Sequence, residues 1–177
     1  MSESDEELML RVSRKHDERA FRELMTRYQQ LLVNLFIRRG VYQEYEDLAQ
    51  ETFFKIYKAR KRFKPDASFK PWMFTIANRV WIDHLRKNGR RKHREQAFRE
   101  EPRIESFSQP PMQENDLDWA LSKLSDAHRA VVVQAVYHQR NHAETANILG
   151  IPQGTVKSRL HHGLKQLRKI LTETSFS

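Results

Sequence analysis

The side chains whose types and spacing could do chemistry here are cations interleaved with aromatic rings. Between positions 64 and 87 the chain places Lys64, Phe69, Lys70, Trp72, Trp81, Arg86 and Lys87. Cations neutralise phosphates, and flat rings stack on unpaired bases, so this set suits single-stranded or opened nucleic acid. A second set, Gln153, Thr155, Lys157, Ser158, Arg159 and His162, begins just after Gly150-Ile151-Pro152. Arginine matches the O6/N7 edge of guanine, and the free N–H groups of a helix's first turn suit a phosphate. Hydrolytic or metal chemistry has weaker support. Asp83-His84 has no convergent nucleophile or third group, and the adjacent His161 and His162 do not share a helix face. A Mg²⁺ enzyme with Glu51 or Asp83 as ligands would need paired carboxylates beside a basic cleft, and the spacing offers none.

The charge supports a polyanionic partner. The 177 residues carry a formal net charge of +9, and it is segregated. Residues 55–99 hold fifteen Lys/Arg against three Asp/Glu, and residues 127–177 hold seven against two. Residues 100–126 reverse this, with two against seven. A uniformly solubilising surface does not divide its charge this way. The chain has no cysteine, so disulfides and cysteine zinc sites are excluded. Met1 to Asp5 lacks the basic start and apolar run of a signal peptide, and no stretch approaches a membrane span. The expectation is a cytoplasmic protein without membrane insertion, cofactor or catalytic site.

Helices must position these side chains. Phe21, Leu24, Met25, Tyr28, Leu31, Leu32 and Leu35 recur at steps of three and four, one stripe of a helix. A turn is predicted at Arg39-Gly40. A second helix is predicted from Asp47, with Asp47 and Gln50 as a capping box. A third opens near Pro71, with Met73, Ile76, Ala77 and Val80 inside; Trp81 falls off that stripe and is expected to be exposed. For Trp72, core packing and base stacking both remain open. Pro102, Pro110 and Pro111 in the acidic stretch predict an extended, mobile linker. The predicted fold is all-α: two small helical domains, 1–95 and 116–177, joined by residues 96–115. In the second, Ser125 caps a helix whose face is Val131, Val132, Ala135 and Val136. His142 to Leu160 reads as helix, tight turn, helix, with Gly150 at the turn and Val156, Leu160, Leu164, Leu167 and Leu171 inward.

Several separated motifs keep the order and spacing of a known family. Asp47-Leu48-Ala49-Gln50-Glu51-Thr52-Phe53, Arg62-Phe63, Phe69-Lys70-Pro71-Trp72-Met73-Phe74-Thr75-Ile76-Ala77 and Ile82-Asp83-His84-Leu85-Arg86 resemble the conserved domain of extracytoplasmic-function sigma factors. Gly150-Ile151-Pro152 with Gly154 to His161 resembles the segment of that family that reads the upstream promoter element. The resemblance implies that Asp47, Gln50 and Glu51 face the beta-prime subunit of core RNA polymerase, unless Asp47 is only a helix cap. It implies that Lys64 to Lys87, including Asn78 and Arg79, bind and open the downstream element. The family usually reads Arg-Asn where this chain has Asn78-Arg79. It also departs at His142, Thr145 and Gly163, where tyrosine, isoleucine and alanine are usual. Beyond promoter DNA and the beta and beta-prime subunits, it implies an anti-sigma factor as partner. A conventional helix-turn-helix regulator would explain residues 117–171 but not the basic aromatic domain before them.

Overall fold

The computed structural model describes the backbone of residues 3–97 and 116–174, and the side chains of residues 3–90 and 117–173. The expected linker falls outside the described residues, except for its first two. Among the described residues every regular element is helical.

Helix α1 (Asp5–Lys15) was not anticipated. Ser4 accepts from the Glu7 backbone N–H while the Glu7 carboxylate accepts from Ser4, a reciprocal cap that satisfies donors a helix start leaves free. Leu8, Met9 and Val12 anchor it in the core. Helix α2 (Glu18–Arg38) is capped by Asp17 and buries Leu24, Tyr28, Leu32 and Leu35 of the expected stripe. It ends at Gly40, whose φ of 85° is the left-handed region glycine tolerates. Helix α3 (Tyr45–Ala59) begins two residues before the expected Asp47. Its N-cap is Glu44, which makes no side-chain cap bond. The Asp47 capping box is therefore corrected: Asp47 sits inside the first turn, exposed, where its charge still complements the helix dipole. Helix α4 (Phe69–Ala97) follows a short 3₁₀ turn at Arg60–Arg62 and a loop.

In the C-terminal half, α5 (Asp116–Ser122) precedes α6 (Asp126–Val132), capped as expected by Ser125. Val133–Tyr137 then winds as a π-helical turn. The wider turn rotates the register, so Val133 and Gln134 are buried while Val136 is 52% exposed. The expected inward face at Ala135 and Val136 is corrected for that reason. Helix α7 (His142–Leu149) carries a capping box of Asn141 and Glu144 that the sequence reading overlooked. Gly150 adopts φ 68°, and α8 (Gln153–Thr174) follows. Val131, Ala146 and Val156 form the small core of the helix-turn-helix.

Close packing explains the glycine at 163. A Cβ built there would stand 2.9 Å from Val132 Cγ2 and 3.5 Å from His128 Cβ. Glycine lets α8 cross α6 closely. Leu164, expected inward, is 37% exposed.

The two halves touch. Ala130, Val133 and Ile148 join the apolar cluster built from α1 to α4, and α7 lies against α4. Arg38 Nε is 3.5 Å from Asp118 Oδ1, and its guanidinium stands 3.8 Å from the Tyr137 ring centroid. Phe74 of α4 packs on His138, with centroids 4.7 Å apart.

Candidate nucleic-acid interface

Helix α8 presents its candidate residues outward. Val156 is fully buried and Leu160 and Leu167 turn inward, so Gln153, Lys157, Ser158 and His162 stand exposed, with Thr155 and Arg159 partly so. Lys157 and Arg159 have no ion-pair partner among the described residues. Ser158 donates its hydroxyl to the Thr155 carbonyl (3.2 Å). His162 Nδ1 lies 2.7 Å from the Ser158 carbonyl. A carbonyl only accepts, so Nδ1 carries a proton in this contact. The Gly150-Ile151-Pro152 turn thus delivers a helix start whose accessible surface carries cations, an amide and an imidazole, suited to base edges and phosphates of a duplex groove.

The N-terminal set divides. Lys64, Lys70, Arg79, Arg86 and Lys87 are exposed and Trp72 is half-buried. Phe69 is fully buried, ringed by Tyr28 (5.3 Å), Phe63 (6.3 Å) and Trp72 (6.3 Å). Asn78 is buried, its Oδ1 accepting from Arg39 Nη1 at 2.7 Å. Trp81, expected exposed, is only 6% accessible and lies under the Arg39 guanidinium at 4.8 Å. The reason is that α4 packs on two sides. Met73, Ile76, Ala77 and Val80 form the expected stripe. A second stripe, Phe74, Asn78 and Trp81, follows at helical spacing, and its members meet His138 and Arg39. In this arrangement Phe69, Asn78 and Trp81 are held in packing contacts instead of standing exposed.

Arg39 concentrates the electrostatics of this junction. It is 1% exposed, and its Nε and Nη2 have no hydrogen-bond partner among the described residues. Burial, and then the guanidinium of Arg129, disfavour its charged form and pull its pKa down. Arg129 itself pairs with Asp126 and crowds Gly40, where a Cβ would come within 2.6 Å of its Nη2.

On α3, Asp47 and Gln50 are exposed and Glu51 half-exposed. Glu51 pairs with Lys55 at 3.2 Å, and Lys55 also reaches Asp83 of α4 at 3.2 Å. Burial opposes the lysine charge, but these two carboxylates outweigh it and hold its pKa above the usual value. Phe54, 58% exposed with Lys58 Nζ 4.5 Å from its ring, completes the face at the spacing 47, 50, 51, 54. The sequence reading passed over it, although that spacing was visible. Asp83 and His84 do not converge on a site: Asp83 serves Lys55 and Arg86, whereas His84 meets Glu44 and Asn88.

Comparison with known proteins decides the family. The family model described as Sigma-70 region 2 matches residues 24–91, and that described as Sigma-70, region 4 matches residues 120–169. The chain is 32% identical over 167 residues to the ECF RNA polymerase sigma factor RpoE of Cereibacter sphaeroides, covering 91% of this chain and 92% of that protein. The chain belongs to the ECF sigma factors. The ECF sigma factor SigE of Mycolicibacterium smegmatis is 30% identical over 142 residues, 77% of this chain but only 55% of that longer protein. Among solved structures, the sigma factor RpoE from Bartonella quintana, crystallised with the anti-sigma factor NepR, superposes with a TM-score of 0.71. Its identity is 25%, covering 86% of this chain and 96% of that one. As an ECF sigma factor, the protein directs RNA polymerase to promoters. Most of helix α8 lies in the region-4 match and most of α4 in the region-2 match.

Proposed function

We propose the following division of contacts for this sigma factor. Helix α8 enters the major groove of the upstream promoter element with Gln153, Thr155, Lys157, Ser158, Arg159 and His162. Lys64, Lys70, Arg79, Arg86 and Lys87 hold phosphates of the downstream element, and the half-buried Trp72 offers an edge to an unpaired base during opening. Asp47, Gln50, Glu51 and Phe54 form the face toward core polymerase. Residues 1–95 and 116–177 act as two units joined by 96–115. Phosphodiester chemistry belongs to polymerase, and the sigma factor works beside it in the cytoplasm without catalytic groups of its own. A structural relative was solved with an anti-sigma factor, which supports a protein inhibitor of that kind here.

One observation carries this reading. All six α8 candidates lie off its buried face, directly after the left-handed Gly150 turn. In vitro transcription with core polymerase and a promoter library tests it. Arg159→Ala should relax preference at one or two upstream bases, by about 1–3 kcal/mol of discrimination. Lys87→Ala should weaken all promoters alike and flatten the salt dependence. Glu51→Arg should weaken core binding at unchanged helicity. An Arg159→Ala variant that alters only the salt slope removes that residue from base reading.

A further inference from the structure

Helix α1 lies wholly ahead of the region-2 match, which begins at residue 24, yet it reaches the start of α4. The first N–H groups of a helix have no partner within it. At the start of α4, Pro71 removes one such donor. The Phe69 N–H donates to Glu6 Oε1 at 2.9 Å, across 63 residues of sequence. No side chain of the loop before Phe69 takes that role among the described residues. Asp5, the neighbour of Glu6, accepts from the Tyr28 hydroxyl and pairs with Arg27 at 2.8 Å. The Tyr28 ring in turn packs on Phe69 (5.3 Å) and stands 5.8 Å from Lys70 Nζ. Burial, then Asp5, push the Tyr28 hydroxyl well above its ordinary pKa, so it remains a donor. Glu6 is not free to drift, because α1 is fixed by its capping box and by buried Leu8, Met9 and Val12.

We propose that Glu6 is a positioning residue for promoter recognition: by capping α4 from outside the region-2 segment, it sets how Lys64, Lys70 and Trp72 are presented to the downstream element. The carboxylate both accepts the free N–H and complements the positive end of the helix dipole. Glutamine keeps the acceptor and loses the charge; alanine loses both. This inference rests on the assignment of those three residues to DNA.

The test uses the full chain bound to core polymerase. Downstream binding is read as the affinity of the complex for a promoter fragment opened at that element. Hydrogen exchange at the Phe69 amide is measured in parallel. Glu6→Ala should expose that amide and weaken downstream binding roughly fivefold, as expected for loss of a cap. Upstream preference and core binding should stay unchanged. Glu6→Gln should retain amide protection and most of the affinity. Three results overturn the proposal in distinguishable ways. If Lys64→Ala and Lys70→Ala weaken downstream binding but Glu6→Ala leaves that affinity intact, Glu6 does not position the site. If Glu6→Ala lowers downstream, upstream and core binding together, its role is general stability. If the two lysine variants also change nothing, the DNA assignment falls and the proposal with it.

Discussion

Residues 3–90 and 117–173 carry their candidate DNA-facing groups in different ways. In the C-terminal half the groups stand exposed or partly exposed on α8, away from its buried apolar stripe. In the N-terminal half three of the nine candidates, Phe69, Asn78 and Trp81, are buried. A helix packed on one side separates core from contact by its period alone. A helix packed on two sides, as α4 is, does not, and its aromatic residues are then claimed by packing first.

This contrast can be broken most directly by truncation. Phe69→Ala removes a ring from a cluster of four aromatics and should cost about 3–5 kcal/mol of stability, read from urea denaturation. Lys157→Ala should stay within roughly 0.5 kcal/mol. Equal effects would erase the distinction between a packed and a presented set.

Acid should loosen the junction between the halves. His138 is surrounded by cations. Burial, and then Arg39, Arg140, Arg38 and Lys70, lower its pKa to about 4. Folded, the ring stays neutral; unfolded, it binds a proton near pH 6.5. Protons are therefore taken up on unfolding between those values, and stability present above pH 6.5 is lost as pH falls through 6.5 toward 4. Between pH 7 and pH 5 the urea midpoint should drop by the equivalent of about 1–2 kcal/mol. His138→Leu should remove most of that pH dependence. A slope that survives in His138→Leu would place the titrating group elsewhere.

The smallest effect sharpens the picture of α8 itself. Gly163→Ala gains helix propensity of about 1 kcal/mol but drives a methyl onto Val132, which costs roughly 1–3 kcal/mol. A net loss near 1 kcal/mol is expected, relieved in the double variant with Val132→Ala. A Cβ at Gly154 meets nothing within 4 Å, so Gly154→Ala should be neutral or slightly stabilising.

The helix-turn-helix was legible because its signals are local. Gly150 at the turn, Pro152 beyond it and Val156 at the right remove together define two helices. The Ser4/Glu7 and Asn141/Glu144 caps were equally local, yet went unread beside longer apolar stripes. Gly163, Val136 and Trp81 were not legible. Their environments depend on how closely α8 crosses α6, on a π turn, and on the C-terminal half meeting α4. Two are facts of tertiary packing and one a local change of winding, and a regular period along one helix contains none of them. Asp47 misled for a related reason: its spacing to Gln50 fits a cap, but α3 extends one half-turn further back.

The seating of Phe74, Asn78 and Trp81 against Arg39 and His138 has a thermodynamic corollary. A partner that engages those faces of α4 binds only molecules in which the halves have parted. Its apparent dissociation constant equals the intrinsic one divided by the open fraction. An open population of about one in a hundred weakens such a partner roughly a hundredfold. The buried Arg39 guanidinium, facing Arg129 with two donors unused, raises the free energy of the closed form and so enlarges that fraction. Affinity for the covered faces of α4 is thus tuned by residues that need never touch the partner.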